Sequence, residues 1–135
     1  MPTSGIRNYE AVEMTEAQIQ KTILQWAAVK RILMFRINVI GTPLHKDGRT
    51  FYRPSTNKGM ADLHCTVLVD KIPVSVWLEV KRKRGKLSMY QEAFKDSVEA
   101  AGGYYYLVRS IEDVELVLAE VSQRTIQQIR EFIPF

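Results

Sequence analysis

The sequence predicts an α/β fold in which a mixed central sheet is flanked by helices. Three observations point there. Amphipathic stretches opened by capping boxes begin at Thr15 and Ser88, two adjoining apolar runs from Ala61 to Val80 alternate with strand period, and a short aromatic run, Tyr104 to Val108, follows a Gly-Gly stop. With 135 residues and 46% hydrophobic content, the chain suits one domain with a real core. Residues 1–14 carry Pro2, Ser4 and Gly5 without periodicity and read as a flexible arm, leaving 15–135 as the domain.

The elements follow in order. Thr15 with Gln18 forms the first capping box, and Ile19, Ile23, Trp26 and Ala27 fall at helical spacing, so a helix runs to about Lys30. Ile32 to Val39 is a short β-like run. From Gly41 to Lys58, turn formers alternate with Arg49, Arg53 and Lys58. That stretch reads as a long basic loop, with room for one strand around Arg49 to Arg53. Ala61 to Val69 and Ile72 to Val80 form a hairpin turning near Asp70-Lys71, with Pro73 marking a strand start or edge. Ser88 with Gln91 caps a helix to about Ala101, which Gly102-Gly103 stop. Tyr104 to Val108 is a strand, Ser110 caps a helix through about Glu120, and a last helix occupies Ser122 to Phe132. The order is α, β, β, β, α, β, α.

Several classes of function are excluded or disfavoured. The chain has no run of about 18 apolar residues and no secretory cleavage pattern, so it is expected to be soluble, unsecreted and away from membranes. Its single cysteine, Cys65, excludes an internal disulfide and a cysteine-based zinc site. The formal net charge of +4 is unevenly placed, since five of the six residues from Lys81 to Lys86 are basic. Such a patch suits a polyanion, because cations gain free energy by displacing counterions from phosphates; a solvated charged turn or a localisation signal is the alternative. His45 and His64 lack ligand spacing to one another and are not read as metal ligands.

The chemistry concentrates between Gly59 and Lys81. Asp62 opens one strand of the expected hairpin, and Glu79 and Lys81 close the other. Side chains alternate along a strand, so Glu79 and Lys81 share a face while Val80 points into the opposite layer. Two acids and a lysine at one end of a sheet suit a divalent cation beside a phosphodiester.

With this order of elements, the chain resembles the PD-(D/E)XK nuclease superfamily and, within it, the VRR-Nuc (virus-type replication-repair nuclease) domains in their stand-alone phage form. The matching segments are Glu16-Ala17-Gln18-Ile19-Gln20, Arg36-Ile37-Asn38, Gly59-Met60-Ala61-Asp62, Glu79-Val80-Lys81, Leu87-Ser88-Met89-Tyr90-Gln91 and Ala101-Gly102-Gly103. They cover about Thr15 to Leu118. The resemblance implies an αβββαβ core and a Mg²⁺- or Mn²⁺-dependent endonuclease acting on DNA, with branched structures such as Holliday junctions or flaps as substrates. It also implies work in the cytoplasm of a bacterial or phage-infected cell. The chain departs from the superfamily pattern at Ala61, where proline often precedes the first acid, and in its unusually basic Arg82-Lys83-Arg84.

Asp62 and Glu79 are the expected metal ligands, and the resemblance adds the Val80 carbonyl and Glu16. Glu16 has a second explanation, since acids are favoured in any first helical turn. Gln20 lies one turn on, on the same side. Neighbouring carboxylates favour a charged Lys81, so stabilising transition-state charge and orienting water are its expected roles rather than that of a base. Gln91 is either only the N3 residue of its capping box or also an active-site residue, as the resemblance implies. Arg36 and Asn38 are expected near DNA, with a solvated edge strand as the alternative. Arg49, Arg53, Lys58, Arg82, Lys83, Arg84 and Lys86 complete the expected DNA contacts. Tyr104 to Tyr106 read as core packing. Two opposed incisions in a junction suggest a homodimer, with Ile126, Ile129, Phe132 and Ile133 as interface material or as packing onto the chain's own sheet. The rival readings are a monomeric flap nuclease and a DNA-binding module with a vestigial site.

Overall fold

Reciprocal capping boxes start two of the helices. In the computed structural model, which describes residues 13–37, 42–53 and 58–132, Thr15 Oγ1 accepts from the Gln18 amide at 3.1 Å and the Thr15 amide donates to Gln18 Oε1 at 2.8 Å. Helix α1 (Glu16–Val29) follows. Ser88 and Gln91 repeat the arrangement at 3.2 and 2.8 Å ahead of α2 (Met89–Ala100). Each box satisfies two amides that a helix start leaves without partners.

The strands are β1 (Leu33–Arg36), β2 (Thr42–Lys46), β3 (Arg49–Arg53), β4 (Leu63–Val69), β5 (Ile72–Val80) and β6 (Tyr104–Val108), and α3 spans Ile111–Phe132. Among the described residues, four strands form one sheet in the order β1-β4-β5-β6, and β2 with β3 forms a separate ribbon. The β1/β4 and β4/β5 pairs are antiparallel, while β5 and β6 run parallel. A parallel pair needs a long crossover, which α2 supplies. The result is the mixed sheet with flanking helices that the sequence predicts.

Alternation sorts the strand side chains into two layers. On one face Leu63, Cys65, Val76, Leu78, Val80, Tyr104 and Val108 pack with Ile19 and Ile23 of α1 and with Val114, Val117 and Val121 of α3. On the other, Ala61, Trp77 and Tyr105 pack with Phe94 and Val98 of α2. Each fully buried aliphatic side chain contributes about 1.5–3 kcal/mol, so the larger α1/α3 layer dominates in holding the sheet together. Glu79 lies on the same side as Trp77, toward α2, at the C-terminal end of β5. Among the described residues, no helix is long and apolar enough to cross a membrane.

Two sequence expectations are corrected. The stretch read as a basic loop with at most one strand forms the β2–β3 hairpin, paired from Thr42↔Arg53 to Lys46↔Arg49. Its turn places Asp47 and Gly48 at φ 53 and 70, the left-handed pair that a two-residue hairpin turn requires and that Asp-Gly favours. The two C-terminal helices are one helix of 22 residues. Ser110 caps it as expected, its Oγ accepting from the Asp113 amide at 3.1 Å. Ser122 does not restart it, because Val114, Val117, Val121 and Thr125 form one buried stripe across the supposed break and no Gly or Pro interrupts the run.

Candidate active site

The hairpin register assembles the site. Leu63 pairs with Leu78, so one step further along the antiparallel ladder Asp62 comes beside Glu79. Asp62 stands just outside β4, and its carboxylate is fixed across the hairpin, Oδ2 accepting from the Val80 amide at 2.8 Å. Glu79 is only 2% exposed. Its Oε1 accepts from Gln91 Nε2 at 2.8 Å and lies 3.8 Å from Lys81 Nζ. Its Oε2 is buried with no hydrogen-bond partner among the described residues.

Gln91 serves both of its expected roles. Its Oε1 accepts from the Ser88 amide at 2.8 Å while its Nε2 holds Glu79 at the same distance. The residue that caps α2 also anchors the carboxylate. Because the amide oxygen is taken by the cap, the amide nitrogen is the end presented to Glu79.

The electrostatics are those of crowded acids. Burial above all, then the charge of Asp62 and a proton shared with its carboxylate, and more weakly the charge of Glu16, push the Glu79 carboxyl up to about 8, against an opposing pull from Lys81. Without a cation, the Asp62–Glu79 pair therefore favours keeping a proton over carrying two charges. An added divalent cation would replace that proton and satisfy the orphaned Oε2 with the hard oxygen chemistry such ions prefer. The residues present thus fit a Mg²⁺ or Mn²⁺ ion held through Asp62 and Glu79. Among the described residues, no three His, Cys, Asp or Glu side chains converge as a ready-made metal cage. Glu16 acts on Glu79 through its charge and does not complete such a group.

The other expected residues divide. Val80 has a fully buried side chain, and its amide is the donor to Asp62. Glu16 and Gln20 are half-buried on α1. Glu16 lines a groove of about 730 Å³ with Glu13, Arg82, Lys83, Arg84 and Gly85. Arg82, Lys83, Arg84 and Lys86 are exposed, and Arg82 meets Glu13 at 3.6 Å across that groove. Lys58 sits 5.4 Å over the Tyr90 ring at the start of α2. Arg36 pairs with Leu63 in register, so it shares the face of Leu63 and not that of Glu79. Arg49 is exposed on the separate ribbon. Asn38 and the side chain of Arg53 lie outside the described residues. Tyr104 and Tyr105 are buried, as the core reading expects.

Tyr105, which sequence reasoning reads as core packing alone, and Arg109, which it passes over, adjoin the site. Tyr105 has a buried hydroxyl without a hydrogen-bond partner among the described residues, and burial, then the charges of Glu79 and Asp62, push its pKa up. Arg109 binds the turn that follows Lys81. The aromatic triplet conceals Tyr105, and the parallel pairing of β5 with β6 that brings Arg109 close has no local signal. The chain matches no family model, no curated protein and no solved structure.

Proposed function

We propose that this chain is a divalent-metal-dependent, structure-selective DNA endonuclease with a PD-(D/E)XK-type core similar to the VRR-Nuc domains. The observation that carries the reading is the group at the end of the β4–β5 hairpin: Asp62 tied to the Val80 amide, Glu79 tied to Gln91, Lys81 beside them, and one buried carboxylate oxygen with no hydrogen-bond partner among the described residues. Two acids crowded in this way disfavour bare phosphate binding and favour a cation between them and the phosphate.

When bound, Mg²⁺ or Mn²⁺ supplies Lewis-acid polarisation of a phosphate oxygen and makes water more acidic. The chain's own residues do the rest. Val80 and Gln91 hold the two carboxylates in place before substrate arrives, which lowers the reorganisation needed in the transition state. Lys81, half-buried beside Glu79, places a positive charge where the phosphorane charge develops. Arg82, Lys83 and Arg84 present cations along the adjoining groove, where a phosphate can displace Glu13 from Arg82. Holliday junctions are the favoured substrate and a homodimer the favoured assembly, because two opposed incisions match a two-fold arrangement.

Purified protein incubated with labelled four-way junction, flap and linear duplex, with Mg²⁺ or with EDTA, tests the reading. Paired nicks in the junction that require Mg²⁺ are expected. Binding to all three DNAs without cleavage in Mg²⁺ or Mn²⁺ would favour a DNA-binding module with a vestigial site.

A further inference from the structure

Arg109 follows the last residue of β6 and stands outside the group formed by Asp62, Glu79, Lys81 and Gln91. Its guanidinium donates from Nη1 to the Arg82 carbonyl and from Nη2 to the Gly85 carbonyl, the latter at 3.1 Å. Its own backbone is pinned, the Arg109 amide donating to Asp113 Oδ2 at 2.8 Å in the first turn of α3. Between the two carbonyls lies a closed turn, with the Gly85 amide donating to the Arg82 carbonyl at 2.8 Å. The turn is joined to β6 at its start as well, through the Lys81 amide and the Val108 carbonyl at 3.1 Å.

This placement carries an electrostatic cost. Arg109 adds a positive charge to a segment in which five of six residues are already cationic, and among the described residues its guanidinium meets carbonyls and no carboxylate. The fork shape of a guanidinium suits the place, since it presets two separate donors in one plane for two carbonyls, whereas a lysine reaches both only from one nitrogen at the end of a flexible stem. The clamp also reaches Lys81. A Cβ placed on Gly85 would lie 3.1 Å from Lys81 Cβ and 3.2 Å from its Cδ, so the clamped turn packs directly on the lysine stem.

We infer that Arg109 is a positioning residue that presets the Arg82–Gly85 turn as one wall of a binding groove for a DNA phosphate backbone, and through Gly85 sets Lys81 against the site. Without the clamp, like charges along the turn repel and the loop samples many conformations, so each phosphate contact must first be ordered. With it, the cations are already arrayed. The inference rests on the nuclease reading for the nature of the ligand alone; the clamp itself is a statement about the turn.

The test compares wild type with Arg109→Lys, Arg109→Ala and a variant in which Arg82, Lys83 and Arg84 are all alanine. Hydrogen exchange at residues 82–85 reports the turn without any DNA, and exchange in β4 and β5 shows that each variant is folded. Anisotropy of a labelled junction in EDTA, across a salt series, reports binding without turnover. Arg109→Lys, which keeps the charge, is expected to speed exchange in the turn, to leave β4 and β5 protected, and to weaken DNA binding roughly tenfold, the equivalent of one charge-assisted hydrogen bond. It should also flatten the salt dependence toward that of the triple alanine variant, by about one log–log unit for each phosphate no longer neutralised. Wild-type exchange in the turn of Arg109→Lys would overturn the clamp. Faster exchange with unchanged affinity and salt slope would overturn its role in binding. If wild type itself binds no DNA, the nuclease reading fails while the exchange comparison still decides the clamp.

Discussion

Glu79 is the residue on which the site's chemistry turns, because it is buried, crowded by Asp62 and only half satisfied. Asp62→Asn removes a negative charge near phosphate, and Glu79→Gln removes a carboxyl that already favours its protonated form without a cation. Each is expected to lower cleavage by roughly 10²–10³-fold, the scale of losing one preorganised electrostatic group, while leaving junction affinity equal or slightly higher. Gel cleavage beside anisotropy in EDTA checks this, and an Asp62→Asn protein with wild-type turnover in Mg²⁺ would remove Asp62 from the site. The same residue predicts a pH dependence of stability without metal. Its carboxyl rises from an ordinary value of 4.5 to about 8 in the folded state, so between those values the folded chain binds more protons than the unfolded one. Stability is then fully present below about pH 4.5 and declines as pH rises through about 8. Thermal melts from about pH 5 to 9 should show that decline, Glu79→Gln should flatten it, and millimolar Mn²⁺ should oppose it at the alkaline end. A wild-type profile that rises over this range would contradict the assignment.

The β4–β5 hairpin carries Asp62 and Glu79 into register, and its turn is strained. Asp70 and Lys71 both have positive φ, 48 and 66. A two-residue turn of this hand suits the strand twist, and Asp tolerates the left-handed region, whereas Lys has no compensating local bond there. Lys71 is exposed, so Lys71→Gly is expected to raise stability by about 1 kcal/mol, read as a higher denaturant midpoint at unchanged slope, with DNA affinity unaffected at this far end of the sheet. A lowered midpoint would show that the Lys71 side chain contributes more than its backbone costs. At the other end, α2 couples fold and site directly, because one glutamine side chain completes the cap and holds the carboxylate.

Across the whole molecule, the apolar stripe of α3 is spent within the chain. Val114, Val117 and Val121 are buried against the sheet and Ile126 packs on the same core, while Leu116 and Phe132 are exposed at 71% and 85%; Ile133 lies outside the described residues. The proposed homodimer therefore draws its support from the two incisions a junction needs and not from a free α3 face. Light scattering at working concentration is expected to give a dimer, and strand-specific labels on each junction arm to show paired, near-symmetric nicks. A monomer that nicks one strand or prefers a flap would favour the monomeric flap nuclease.

The features legible from the chain alone are local. Capping boxes announce themselves within four residues, so both Thr15 and Ser88 are legible, and period-two alternation places Glu79 and Lys81 on one face. The β2–β3 ribbon has a local signal too, Asp47-Gly48, which outweighs the surrounding prolines. The single length of α3 follows from an unbroken buried stripe, and only Ser122 suggests otherwise. Other features depend on pairing across distance and emerge only in the folded chain. The face that Arg36 occupies follows from its register with Leu63, and the second function of Gln91 follows from α2 crossing over Glu79. Arg109 meets the turn after Lys81 because β6 runs parallel to β5, a pairing separated by a helix in the chain and specified by no neighbouring residue. Side-chain alternation and helix capping are settled by adjacent backbone, whereas register between distant strands is settled by burial of the whole core, which no short segment contains.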